Sequence, residues 1–139
     1  MTRDEAQKLV QAYLLALKQP SEGLNPQGFG GAVIGEAQLY FEYHGKTQQL
    51  EASALVYKFR DRPKPGILEG FSAEEKAGTP TGGGVVDYEP ENKSLFLSRS
   101  YASVPPVETF QQDMDQLMKA SLQWSTEVLE RVASRVFKN

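Results

Sequence analysis

Apolar residues recur along this chain with two different periods, and the changes of period mark out its elements. Ala6, Leu9, Val10, Tyr13, Leu14 and Leu17 stand three or four apart, the stripe of an amphipathic helix. Ahead of them Thr2 and Glu5 have the spacing of a capping box, in which hydroxyl and carboxylate satisfy free amides of the first turn. Pro20, followed by Ser21-Glu22-Gly23, ends that helix, since proline has no amide to donate and disfavours a helical predecessor. The Gly, Pro, Asn and Gln content from there to Gly31 reads as loop.

Across residues 32–44 and 47–60 the period becomes two. Leu39, Phe41 and Tyr43 alternate with Gln38, Tyr40, Glu42 and His44, which predicts a strand with one buried face. His44-Gly45-Lys46 reads as the turn and Gln49 to Phe59 as the return strand, so the pattern places two strands here. In the second, the apolar phase passes from Leu50, Ala52, Ala54 and Val56 to Leu55, Tyr57 and Phe59. A bulge, a sharp twist or a strand covered on both faces accounts for such a slip. Ile67, Leu68, Phe71 and the Ser72-to-Lys76 segment then predict a short helix. Gly82-Gly83-Gly84 reads as a flexible connection to a second hairpin, whose strands flank Glu89-Pro90-Glu91-Asn92.

Pro105-Pro106 opens the last helix, where proline is tolerated. Phe110, Met114, Leu117, Trp124, Val128, Val132 and Val136 form its stripe, and the late bases Arg131, Arg135 and Lys138 suit the helix dipole. Unbroken, it runs roughly 30 residues or about 45 Å. That exceeds the domain it serves, so its end frays or packs on a partner. Together the elements predict one α+β domain over residues 1–139, an antiparallel sheet of two hairpins covered by an N-terminal, a short middle and a long C-terminal helix.

Composition narrows the possible chemistry. The 139 residues include no cysteine, which removes thiol catalysis, disulfides and cysteine-based metal sites and fits a reducing compartment. With no signal-like start and no apolar run near ~20 residues, the expected location is cytoplasmic. A net charge of -3 gives no general attraction for nucleic acid or anionic membranes, so neither is an expected partner. The basic stretch with Lys58, Arg60, Arg62 and Lys64 reads as a solvated strand end; a weak nucleic-acid module through it is the third reading of the chain.

Candidate chemistry is sparse. His44 has no carboxylate or cysteine at ligand spacing and reads as a surface histidine. The glycine run lacks the Gly-Lys-Ser/Thr ending of a phosphate loop, while Glu74-Glu75 and Asp113/Asp115 read as solvated charge. No catalytic, cofactor or metal residues are expected, and the protein reads as a non-enzyme. The aromatics say more. With helices over one sheet face, some of Tyr40, Tyr57, Phe96 and Tyr101 must point outward, where a large apolar body with a wet hydroxyl suits a contact. Those four and Phe59 are the expected partner-binding residues, and the acidic balance favours another polypeptide as the partner. The second reading is a small-ligand or enzymatic pocket between the long helix and the sheet.

Thr81-Gly-Gly-Gly-Val-Val-Asp-Tyr-Glu-Pro-Glu-Asn-Lys-Ser-Leu-Phe-Leu-Ser-Arg resembles the glycine-rich lead, strand, Asp-Pro-Glu-type turn and Leu-x-Leu return strand of the type III secretion chaperone-like family. The long C-terminal helix with Trp124 is similar as well. This resemblance implies a small acidic homodimer that binds an extended segment of a partner on apolar patches. It also implies three strands between the first two helices, where the pattern places two. By resemblance the dimer contact lies between Ile67 and Tyr88, at Ile67, Leu68, Phe71, Val85 and Tyr88.

Overall fold

The computed structural model describes residues 1–19 and 21–137; Pro20 and Lys138, assigned above as helix stop and late base, lie outside the described residues. Helix α1, Arg3–Ala16, starts on its capping box: the Thr2 hydroxyl accepts from the Glu5 amide at 3.2 Å, and the Glu5 carboxylate accepts from the Thr2 amide at 2.8 Å. Its buried side is Ala6, Leu9, Val10, Tyr13 and Leu14, the stripe read from the sequence.

Five antiparallel strands follow: β1 Phe29–Ile34, β2 Ala37–His44, β3 Gln49–Lys58, β4 Val85–Glu89 and β5 Ser94–Tyr101, in the order β1-β2-β3-β5-β4. Three strands, not two, therefore separate the first two helices. The segment read as one strand from residue 32 to 44 folds back at Gly35-Glu36, and the glycine-rich loop supplies the missing half. Gly30 belongs in this strand because its Cα lies against the Gly23 carbonyl, leaving no room for a Cβ. His44 ends β2 instead of forming the turn. Between Leu55 and Tyr57 the pairing of β3 with β5 shifts register, the bulge that the phase slip predicts.

Helix α2, Ile67–Lys76, falls where the sequence places it. The final helical run is continuous but not uniform: α3 Val107–Gln123, a π-helical turn Trp124–Val128, then α4 Leu129–Phe137. Along its stripe the steps from Trp124 to Val136 are all four residues, which would walk apolar positions about 40° per step around a regular helix. The wider π turn takes up part of that drift. The helices cover one face of the sheet, enclosing Leu39, Phe41, Ala52, Ala54, Leu97, Phe110, Met114 and Trp124. Phe71 stacks on Trp124 with ring centroids 5.9 Å apart.

Contrary to the expectation of a free end, α4 packs against α2 within the chain. Gly70 faces Val132 there, and Glu74 accepts hydrogen bonds from Arg131 Nε at 3.1 Å, Arg135 at 3.0 Å and Thr79 at 2.8 Å. Glu74 is thus no solvated charge; it is 4% exposed, and the Arg131 bonds outweigh burial and lower its pKa to about 2. Nor is the glycine run a loose connection. Gly82, at φ +66°, packs its backbone on Gln116 and Leu117, and beside it the Trp124 indole N–H donates to the Pro80 carbonyl at 2.8 Å.

Candidate binding face

Among the described residues, one side of the sheet carries all the helices and the other carries none. Strand alternation puts Phe29 of β1, Tyr40 and Glu42 of β2, Glu51, Ser53 and Leu55 of β3, and Phe96 of β5 on the bare side. Beyond them β4 adds Val85, Asp87 and Glu89. These residues line an open trough of about 520 Å³ that runs across the strands, with Val85 at its edge. Its apolar floor is Phe29, Tyr40, Leu55 and Phe96; Phe29 is 50% exposed and Tyr40 43%. Ser53, opposite Tyr40 on the middle strand, is small and bonds to Ser98 at 2.7 Å, which keeps the floor low beside the rings.

The charge of the trough is one-sided. Glu42, Glu51, Asp87 and Glu89 line it, with Lys58 as the single cation. Among the described residues no Lys or Arg lies within ion-pair distance of any of the four carboxylates. His44 stands between two of them, Nδ1 3.7 Å from Glu42 and Nε2 3.4 Å from Glu51. The expectation that His44 lacks carboxylate neighbours is therefore corrected: Glu42 is two residues away on the same strand face, and Glu51 pairs with Glu42 across β2 and β3. Donor atoms of Glu42, His44 and Glu51 lie within 4.8 Å of one another, the grouping among the described residues that could hold a cation.

Both sheet edges are tied by side chains. On β1 the Asn25 carboxamide accepts from the Phe29 amide at 3.0 Å, and Gln19 donates to the Val33 carbonyl at 3.1 Å. On β4 the Val86 amide donates to Glu75 at 2.8 Å. Such ties blunt part of each edge for strand addition.

The expected contact residues divide. Tyr40 and Phe96 lie on the open face. Tyr57 and Phe59 do not, because the bulge turns β3 over: they pack edge to face at 4.9 Å on the helix side, beside Tyr88 and a groove of about 340 Å³ reaching Ile67, Leu129 and Phe137. Tyr101 is a core-side residue whose ring meets Phe110 at 5.3 Å. Its hydroxyl donates to Asp113 at 2.9 Å, and burial raises its pKa. Asp113, also 3.3 Å from Arg99, is a partnered acid and not the solvated one expected.

Of the expected dimer residues, Ile67 and Phe71 are buried within the chain at 4% and 0% exposure, beneath α4 and Trp124. Leu68 and Tyr88 share a concavity between α2 and β4, and Val85 is 57% exposed on the other face of β4. Between α3 and the sheet Phe110, Met114 and Leu117 fill the space; the groove beside Tyr57 and Phe59 is the opening that lies between the end of the sheet and α4. Phe29, Leu55, Glu42, Glu51, Asp87 and Glu89 are the trough residues that the sequence does not single out. The outward phase of the same alternation is the signal that carries four of them, Glu42, Glu51, Leu55 and Asp87.

No protein-family profile matches the chain, and no curated protein is similar to it in sequence. Solved structures are similar in fold. A chain of the ExsC–ExsE complex aligns with a TM-score of 0.72 at 14% identity, over 90% of this chain and 95% of that one. A chain of the HopA1–SchA chaperone–effector complex gives 0.66 at 16% identity, over 88% and 94%. A chain of the ExoT–SpcS complex from Pseudomonas aeruginosa gives 0.54 at 14%, over 86% and 94%. The fold is the type III secretion chaperone-like fold: an α+β sandwich with one bare sheet face. No helix among the described residues is long and apolar enough to cross a membrane.

Proposed function

We propose that this protein is a non-enzymatic, chaperone-like binding domain of the cytoplasm that holds a segment of another polypeptide on the bare face of its sheet. The observation that carries this reading is the pairing of Tyr40 with Phe96 on a face no helix covers, flanked by Phe29 and Leu55. Solvent-facing rings in a continuous shallow trough suit an extended chain far better than an enclosed small molecule. One of the similar structures, HopA1–SchA, is a chaperone–effector complex, which supports a polypeptide partner.

The protein acts as a single domain and as a homodimer, with Leu68, Tyr88 and Val85 at the contact. A two-fold dimer through the trough is disfavoured, because it would set Glu42, Glu51, Asp87 and Glu89 against their own copies. The test of the binding reading is capture from native lysate by immobilised wild-type protein beside Tyr40→Ser/Phe96→Ser. A polypeptide retained by the first and lost by the second, at unchanged circular dichroism, supports it. Equal capture by both refutes it.

A further inference from the structure

We infer that the segment bound by this face is cationic, with Arg or Lys side chains interspersed among apolar ones. This rests on the proposed polypeptide-binding role and specifies its chemistry. Four carboxylates border the apolar floor, and among the described residues none has a Lys or Arg partner of its own. The proximity of four like charges on one small face destabilises it while empty, and the field they make attracts the opposite charge.

The rings point the same way. Tyr40 and Phe96 meet edge to face and are not stacked flat on each other, and Tyr40 is left exposed among the acids. A guanidinium can lie on an aromatic face while its N–H groups reach a carboxylate, an arrangement that an ammonium copies less well. Along the trough Tyr40 stands on β2 beside Glu42, and Phe96 on β5 is paired with Asp87 of β4. Each ring therefore has its own acid alongside. An anionic segment would meet repulsion at four positions and find Lys58 alone in its favour.

Three peptides of about ten residues, long enough at ~3.3 Å per residue to cross five strands, separate the possibilities. All share the same Leu and Phe positions; the remaining positions carry Arg, Gln or Glu. With fluorescence anisotropy at low salt, the Arg peptide should bind about tenfold tighter than the Gln peptide, and the Glu peptide should bind weakest. Raising the ionic strength should narrow those differences. The quadruple variant Glu42→Gln, Glu51→Gln, Asp87→Asn, Glu89→Gln should abolish the order. Neutralising four acids elsewhere (Glu22, Glu36, Glu108 and Glu130) should preserve it. Equal binding of all three peptides would overturn the charge preference while leaving the polypeptide role standing. So would an order that survives the quadruple variant. Binding by none of them would remove the polypeptide role itself.

Discussion

Tyr40 and Phe96 meet edge to face with ring centroids 5.8 Å apart, though their strands are not neighbours. On the intervening β3, Ser53 is opposite Tyr40 and Leu55 is opposite Phe96, so the two rings reach each other diagonally across the middle strand. This contact sits on the solvent side and touches no core residue of the opposite face. Tyr40→Ser with Phe96→Ser should therefore cost about 2–4 kcal/mol of stability, ~1 kcal/mol for the ring pair and the rest for the apolar area the two rings partly bury. Partner binding should fall far more. Chemical denaturation beside a binding isotherm measures both; a collapse of the fold would place these rings in the structural core.

The clamp between Glu74 and Arg131 makes an acid-limb prediction. The Glu74 pKa is lowered to about 2 in the folded chain from an ordinary value of 4.5. A depressed carboxylate contributes stability that is fully present above pH 4.5 and is lost as pH falls toward 2. Glu74→Gln should lower stability at neutral pH by about 2 kcal/mol through the loss of charged hydrogen bonds. It should also flatten the decline between those pH values. Urea unfolding at pH 7, 4 and 2.5 reads out both effects.

Gly82 fixes the connection into β4. Its positive φ and its contact with the α3 backbone at Gln116 and Leu117 leave no space for a methyl group. Gly82→Ala should destabilise the protein by about 2 kcal/mol or more, combining backbone strain with overpacking. Gly78→Ala, also at positive φ but with open space around it, should cost less. Thermal melts of the pair test the difference.

Light scattering after gel filtration should give twice the 15.4 kDa chain mass. Val85→Asp, at an exposed position on β4, should shift the protein toward monomer without lowering its helix content. A wild-type monomer at tens of micromolar would end the dimer proposal.

Much of this architecture is legible in the sequence because it is set locally. The capping box at Thr2 and Glu5, the stripe of α1 and the second hairpin depend on residues a few positions apart. The β3 bulge is legible too, since the phase slip lies within the strand itself. What escapes depends on contacts distant in sequence. Phe-Gly-Gly-Ala-Val-Ile becomes a strand because Gly30 packs on Gly23, a requirement that no period shows. Glu51 joins His44 only through the β2–β3 register, and Tyr57 changes sides at the bulge. Ile67 and Phe71 are apolar in any reading, but their burial follows from the packing of α4 and Trp124 on α2. The same packing brings Arg131 to Glu74, 57 residues away in sequence.

The most direct measurement is site-specific photo-crosslinking in native lysate. A benzophenone side chain at Tyr40 in the trough is compared with one at Glu130, exposed on α4. Binding on the bare sheet face predicts a discrete polypeptide adduct at Tyr40, absent at Glu130 and reduced when Phe96 is changed to Ser. The same adducts at both positions, or none at Tyr40, would contradict it.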